Sequence, residues 1–151
     1  MQITARVDYA VRALAELAST DGRAASRAEL AENQDIPAKF LETILADLKR
    51  AGVVRSQRGA HGGYTLAARP EDVSIADVIR AVEGPLTSVR GSAPEDMEYA
   101  GSAAQLRDVW VAVRAGIRQV LESTTLQHLI DGRLPDGVQR LLEDSEAWRR
   151  R

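Results

Sequence analysis

Apolar residues recur at helical spacing from the start of the chain. Val7, Val11, Leu14 and Ala18 repeat at four, three and four, while Arg6, Asp8, Arg12 and Glu16 mostly fall elsewhere on the turn. The spacing predicts a helix over 3–18, closed by Asp21-Gly22. Ser26-Arg-Ala-Glu29 is a capping-box pattern and predicts a short second helix to about Glu32. Asn33 to Ile36 leaves room only for a turn. Pro37 then suits the first turn of a third helix, where its missing N–H costs nothing. On that helix Leu41, Ile44, Leu45 and Leu48 share one side, and Lys39, Thr43, Ala46 and Arg50 the other. Gly52 supplies the stop.

The period then changes. Val53-Val54 and Tyr64-Thr-Leu66 flank Gly59, Gly62 and Gly63, which predicts a hairpin over 53–67 ended by Arg69-Pro70. Ser74-Ile-Ala-Asp77 opens a fourth helix with Ile75, Val78, Ile79 and Val82 inward, stopped at Gly84-Pro85. Residues 86–102 hold no period and read as a mobile loop. A long helix follows over about Ala103–Ser123, with Leu106, Val109, Trp110, Val113, Ile117, Val120 and Leu121 in a narrow stripe. At ~1.5 Å per residue it spans roughly 30 Å, more than the small N-terminal core needs, so its stripe predicts a seam with a second subunit. Thr124-Thr125 caps a short helix over Leu126, Leu129 and Ile130, and a final helix carries Val138, Leu141, Leu142 and Trp148. The fold class is mainly α with a small β-hairpin wing: a winged helix-turn-helix over 1–83, a loop over 84–102, and a dimerisation helix with C-terminal helices over 103–151.

Composition narrows the chemistry. The chain has 151 residues and no cysteine, which excludes disulfides, thiolate zinc sites and cysteine-ligated iron–sulfur clusters. No apolar run spans a bilayer and no secretory leader is evident, so no membrane partner and a cytoplasmic location are expected. An enzyme is not expected: there is no cysteine nucleophile, no phosphate loop, no metal-ligand spacing and only two histidines. No cofactor or metal site is expected.

Charge is distributed unevenly. Residues 1–70 hold ten Lys and Arg against eight Asp and Glu, a balance of +2; the remainder holds ten against fourteen, a balance of −4. From Leu48 to Pro70 there are five cations, Lys49, Arg50, Arg55, Arg58 and Arg69, and no acid. A helix with a polar outer face joined to a cationic hairpin suits duplex DNA. Lys39 and Thr43 sit where recognition helices reach base edges, the alternative being a solvated helix face. Arg50 has a second reading, as a cation stabilising a helix C-terminus. Arg55, Gln57 and Arg58 are candidates for phosphate or minor-groove contact. Gly59, Gly62 and Gly63 are turn residues needing positive φ, a property that also allows close backbone approach. His61 reads as a phosphate donor, a pH sensor or merely exposed. Tyr9 and Arg12 are candidates from the first helix, Tyr9 equally for packing. Ser26, Pro37 and Ala38, where the second and third helices start, complete the DNA-binding set. Phe40 and Trp148 read as packing residues, Trp110 as packing where the long helix meets the N-terminal core, and His128 as structural. The competing function is a winged-helix adaptor that binds protein instead of DNA; its wing would be apolar or mixed in sign.

Several segments resemble the Rrf family of winged-helix repressors: Phe40-Leu-Glu-Thr-Ile-Leu, Ala51-Gly-Val-Val-Arg-Ser-Gln-Arg-Gly, His61-Gly-Gly-Tyr-Thr-Leu-Ala, Ile75-Ala-Asp-Val-Ile, Glu83-Gly84 and Asp8-Tyr-Ala-Val-Arg12. The resemblance covers residues 1 to about 130. It implies a homodimer that represses transcription at a pseudo-palindromic double-stranded operator, with the long helix at the dimer interface. Cluster-binding members carry three cysteines in the loop before that helix; here Thr87 to Ala103 has none. Some members add a carboxylate ligand near the start of the first helix, about where Asp8 stands, but Asp8 alone holds no cluster. The chain resembles the cysteine-free branch near the cysteine-metabolism repressor. That implies control of sulfur or amino-acid metabolism, with a small molecule or a partner protein as effector. A ligand pocket is expected between the winged unit and the long helix, near Trp110 and the loop.

Overall fold

A computed structural model describes residues 2–150. Helix α1 (Ala5–Ala18) starts at Thr4, whose hydroxyl accepts the Val7 N–H at 3.2 Å. Its buried face is Val7, Ala10, Ala13, Leu14, Leu17 and Ala18. Val11, expected inside, is only half-buried: Ala10 and Ala13 take the inner positions, where small side chains let neighbouring helices approach closely. Helix α2 (Arg27–Asn33) carries the expected capping box, Ser26 and Glu29 each closing on the other's backbone N–H. Helix α3 (Ala38–Arg50) follows after Asp35, which adopts φ 49°; Pro37 is its N-cap, one position before the expected first turn.

The end of α3 explains the hairpin's position. Gly52 has φ 76°, the Gly52 N–H bonds the Lys49 carbonyl at 3.0 Å, and the Val53 N–H bonds Leu48 at 2.9 Å. This Schellman stop turns the chain straight into β1 (Val54–Gln57). Strand β2 (Gly63–Leu66) returns antiparallel, pairing Val54 with Leu66 and Gln57 with Gly63. A short 3-10 turn, Pro70–Asp72, leads into α4 (Ile75–Glu83), with a second capping box between Ser74 and Asp77. On α4 it is Ala76 and Val78 that are buried; Ile75, Ile79 and Val82 lie at the margin.

The long helix α5 (Leu106–Ser123) begins later than expected because Gly101–Ala103 forms a separate 3-10 turn. The loop before it is folded back on α5. Pro94 and Met97 are buried, and the Trp110 indole N–H donates to the Tyr99 hydroxyl at 3.2 Å. Trp110 therefore meets the loop and not the N-terminal core. Helix α6 (Leu126–Ile130) returns to the winged unit: the Ile75 N–H bonds the Thr124 carbonyl at 2.8 Å, the Leu126 N–H bonds Val73 at 3.0 Å, and Leu126 is wholly buried. His128 is structural in a definite way, since its Nδ1 accepts the Thr125 N–H at 3.1 Å and completes a capping box. The last helix, α7 (Asp136–Glu143), stops short of Trp148; Asp144 opens a separate 3-10 turn, Ser145–Trp148, and Trp148 is exposed.

The core is one cluster under α1–α4 and α6, with Leu14, Leu30, Leu41, Ile44, Leu45, Leu48, Val78 and Leu126 fully buried. No residue of α5 is buried within the protomer, although the helix is amphipathic. Val109 and Val113 are 49% and 45% exposed, and Leu106, Trp110, Ile117, Val120 and Leu121 are half-buried.

Candidate nucleic-acid interface

Two elements expose the polar groups that the sequence singles out. On α3 the apolar stripe is buried, so Lys39, Thr43 and Arg50 stand in solvent. In the hairpin Val54 points into the core; the strand alternation then sends Arg55 and Gln57 to the opposite face. All of residues 55–61, including Arg58, Gly59 and His61 at the tip, are exposed.

The five cations between Leu48 and Pro70 are not equivalent. Arg69 is held by Glu71 at 3.3 Å and Asp72 at 2.9 Å, acids lying just past the acid-free run. Arg50 donates to Asp47 at 2.7 Å, an acid just before it. Arg69 and Arg50 are thus locally neutralised. Among the described residues Lys39, Lys49, Arg55 and Arg58 form no ion pair. Their charge is unspent, and a chain of phosphates is the partner that such a set suits.

The helix pair is fixed by a polar bracket. The Arg12 guanidinium donates to the Gln34 carbonyl at the end of α2 and to Asp8 at 3.1 Å. Glu16 accepts from the side-chain amides of Asn33 and Gln34, each at 2.8 Å. Arg12 also lies 5.6 Å above the Tyr9 ring, and Tyr9 meets Phe40 edge-on at 6.1 Å. Tyr9 is half-buried against the core, and Arg12 is occupied in holding α2. Phe40, expected in the core, is 54% exposed at the start of α3. Sequence reasoning also missed the ion pair between Arg27 of α2 and Glu42 of α3, at 3.1 Å. Ser26 is engaged in its cap, while Pro37 and Ala38 are exposed at the mouth of α3. Thr43 donates to the Phe40 carbonyl at 2.9 Å, which leaves its hydroxyl oxygen as an acceptor beside an exposed methyl.

The wing is stapled to this pair. Tyr64 and Ala25 exchange backbone hydrogen bonds of 3.0 and 2.8 Å. Gly59 and Gly63 have positive φ as expected; Gly62 does not. It is glycine for another reason: a Cβ there would stand 2.5 Å from the Gln57 carbonyl and 2.8 Å from that of Gly59.

A helix pair set by its turn, followed by a hairpin carrying free cations, defines a winged helix-turn-helix protein of the class that reads duplex DNA. Residues 3–132 match the Rrf2 family model, described as an iron-dependent transcriptional regulator. The chain is 45% identical over 148 residues to a helix-turn-helix-type transcriptional regulator of Mycobacterium tuberculosis, covering 97% of this chain and 92% of that one. It is 35% identical over 130 residues to the transcriptional regulator CymR of Bacillus subtilis, covering 85% and 89%. Among solved structures it is similar to CymR, the global cysteine regulator of B. subtilis, with a TM-score of 0.73 and 32% identity over 87% of this chain and 97% of that one. It is also similar to IscR of T. potens, with a TM-score of 0.66 and 30% identity over 100% and 93%. The chain belongs to the Rrf2 family of transcriptional regulators. Its relatives are named as regulators and not as enzymes.

The family description implies iron, but the residues here do not fit a thiolate-held cluster. The sequence has no cysteine. Between Gly84 and Gln105 the only ionisable oxygen donors are Glu95, Asp96, Glu98 and the Tyr99 hydroxyl; Glu95 is engaged by Arg114 and Tyr99 accepts from Trp110.

Proposed function

We propose that the protein is a homodimeric, sequence-specific repressor that grips a pseudo-palindromic operator with two copies of α3 and two wings. The observation that carries this reading is the selective pairing of charge. Arg50 and Arg69 are neutralised by neighbouring acids, whereas Lys39, Lys49, Arg55 and Arg58 are left unpaired on α3 and the wing. Lys39 reads base edges from the first turn of α3, and Arg55 and Arg58 contact phosphate from the wing. The exposed apolar stripe of α5 supplies the seam between subunits.

With no thiolate available, the signal is a metabolite or a partner protein and not a cysteine-ligated cluster. Likeness to a global cysteine regulator supports sulfur or cysteine metabolism as the regulated process. A gel shift on the promoter of the protein's own operon, repeated across a salt series, tests DNA binding. Binding that is indifferent to salt, or that persists unchanged when Lys39 and Arg58 are both replaced by alanine, overturns the mechanism. Binding-site mapping across the genome then names the pathway.

A further inference from the structure

Between α4 and α5 the chain folds around a cavity of about 320 Å³. Three elements build its wall. Arg80 comes from the last turn of α4, Arg114 and Arg118 stand one turn apart on α5, and the connecting segment supplies Thr87, Ser88 and Ser92. The lining thus holds three guanidinium groups and three hydroxyls, and no carboxylate.

The acids that hold these arginines stand outside the cavity. Arg80 bonds Asp77 at 3.3 Å and also Glu122; Arg118 Nε donates to Glu122 at 2.9 Å; Arg114 pairs with Glu95. These pairs offset the arginines' charge, as they do for Arg50 and Arg69, but a guanidinium carries five N–H donors in a rigid fork, so what the cavity offers a ligand is oriented donors more than net charge. The Thr87 hydroxyl adds an independent sign. Its Oγ1 has no hydrogen-bond partner in the protein and, though Thr87 lines the cavity, is itself covered, so a ligand oxygen reaches it only if the connecting segment turns the hydroxyl inward. Buried hydroxyls are nearly always satisfied, so an orphan in the wall of an arginine-lined cavity is the group most ready to turn and donate to a ligand oxygen. The volume lies at the small end of the range for metabolite pockets, ~300 Å³ upward.

We propose that this cavity binds a small polyanionic metabolite, bearing carboxylate or phosphate oxygens, gripped by Arg80, Arg114 and Arg118 and hydrogen-bonded by Thr87. Its regulatory role rests on the repressor reading; the binding itself does not. Helix α4 packs on α1 and α3 through its other side, and α5 carries the exposed stripe. An anion drawing Arg80 toward Arg114 and Arg118 couples the angle between α4 and α5 to the placement of α3.

Thermal unfolding of the full chain, without DNA, tests the proposal. Pyrophosphate and citrate are titrated separately against potassium chloride of matched ionic strength. A saturable rise in Tm is expected from at least one. Pyrophosphate alone assigns a phosphate ligand, citrate alone a carboxylate, and both a site for either. The double variant Arg114→Gln, Arg118→Gln is expected to abolish the rise. Thr87→Val, which leaves every ion pair in place, is expected to weaken binding about tenfold, the effect of one lost hydrogen bond to a charged group. Arg133→Gln, outside the cavity, is expected to change nothing. No saturable shift with either anion, or shifts unaltered by both sets of cavity substitutions, overturns the proposal. A parallel gel shift of the unliganded wild type separates the two readings: anion binding without DNA binding removes the repressor reading alone, and DNA binding without anion binding removes the cavity alone.

Discussion

Gly63 lies flat against the Ala25 carbonyl: a Cβ at position 63 would stand 2.4 Å from that oxygen. The contact joins the wing to the entrance of α2, and the φ of 152° at Gly63 adds to the demand for glycine. Gly63→Ala is expected to destabilise the fold by about 1–3 kcal/mol, lowering Tm by several degrees, because the wing must lift to make room. Operator affinity should fall further than stability alone explains. Calorimetric melting and anisotropy titrations on the same preparation check both.

The pairing of charge predicts an unequal response among cations. Arg58→Ala should weaken binding to every duplex alike and reduce the slope of log K against log salt by about 1. Lys39→Ala should cost ~1–3 kcal/mol on the operator and relax preference at one base position. Arg69→Ala, whose charge is already met by Glu71 and Asp72, should leave affinity nearly unchanged. Anisotropy across a potassium chloride series distinguishes the three.

Val109 and Val113 present an apolar edge with no cover inside the protomer. Val113→Glu would place a charge in the expected seam. Sedimentation should then show a species near the chain mass of 16.4 kDa, folded by circular dichroism but unable to bind a full palindrome. A wild-type protomer sedimenting at that mass would contradict the homodimer.

Asp77 is pulled in two directions. Partial burial raises its pKa, but hydrogen bonds from the Ser74 hydroxyl and backbone N–H, together with Arg80, outweigh burial and hold the carboxyl below its usual value. A depressed carboxyl stabilises the fold above its unfolded-chain pKa and loses that contribution as pH falls through the folded value. That loss should set in only as pH falls below the ordinary Asp value of 3.8, and Asp77→Asn should flatten it while lowering Tm at neutral pH. Melting curves between acid and neutral buffers measure it.

Local signals in the sequence were faithful where the physics is local. Ser26 with Glu29 and Ser74 with Asp77 form the boxes that their spacing announces, and Gly52 stops α3 as read. The buried stripe of α3 was legible because Leu41, Ile44, Leu45 and Leu48 must share one side of a helix. What escaped depends on neighbours. Arg50 and Arg69 count among the cations of the acid-free run, yet Asp47 and Asp72, just outside it, pair with them. Val11 yields the interior to Ala10 and Ala13 because helix approach favours small side chains, a preference invisible to simple apolar period. The wrap of Pro94, Met97 and Tyr99 onto α5 has no periodic signature at all. Neither has the arginine-lined cavity, whose walls come from residues 80, 87 and 118, distant in sequence.

The backbone bridge between Ser74 and Thr125 brings the chain back almost to where it departed. Everything between those two residues is a closed detour whose ends share one anchorage. Its first part, α4, stays tied to the core through Ala76 and Val78, so only the stretch beyond Glu83 can lengthen, shorten or change composition while both ends stay fixed. On the repressor reading, a chain built on this plan can vary that stretch, and with it the cavity between α4 and α5, while α3 and the wing stay as they are.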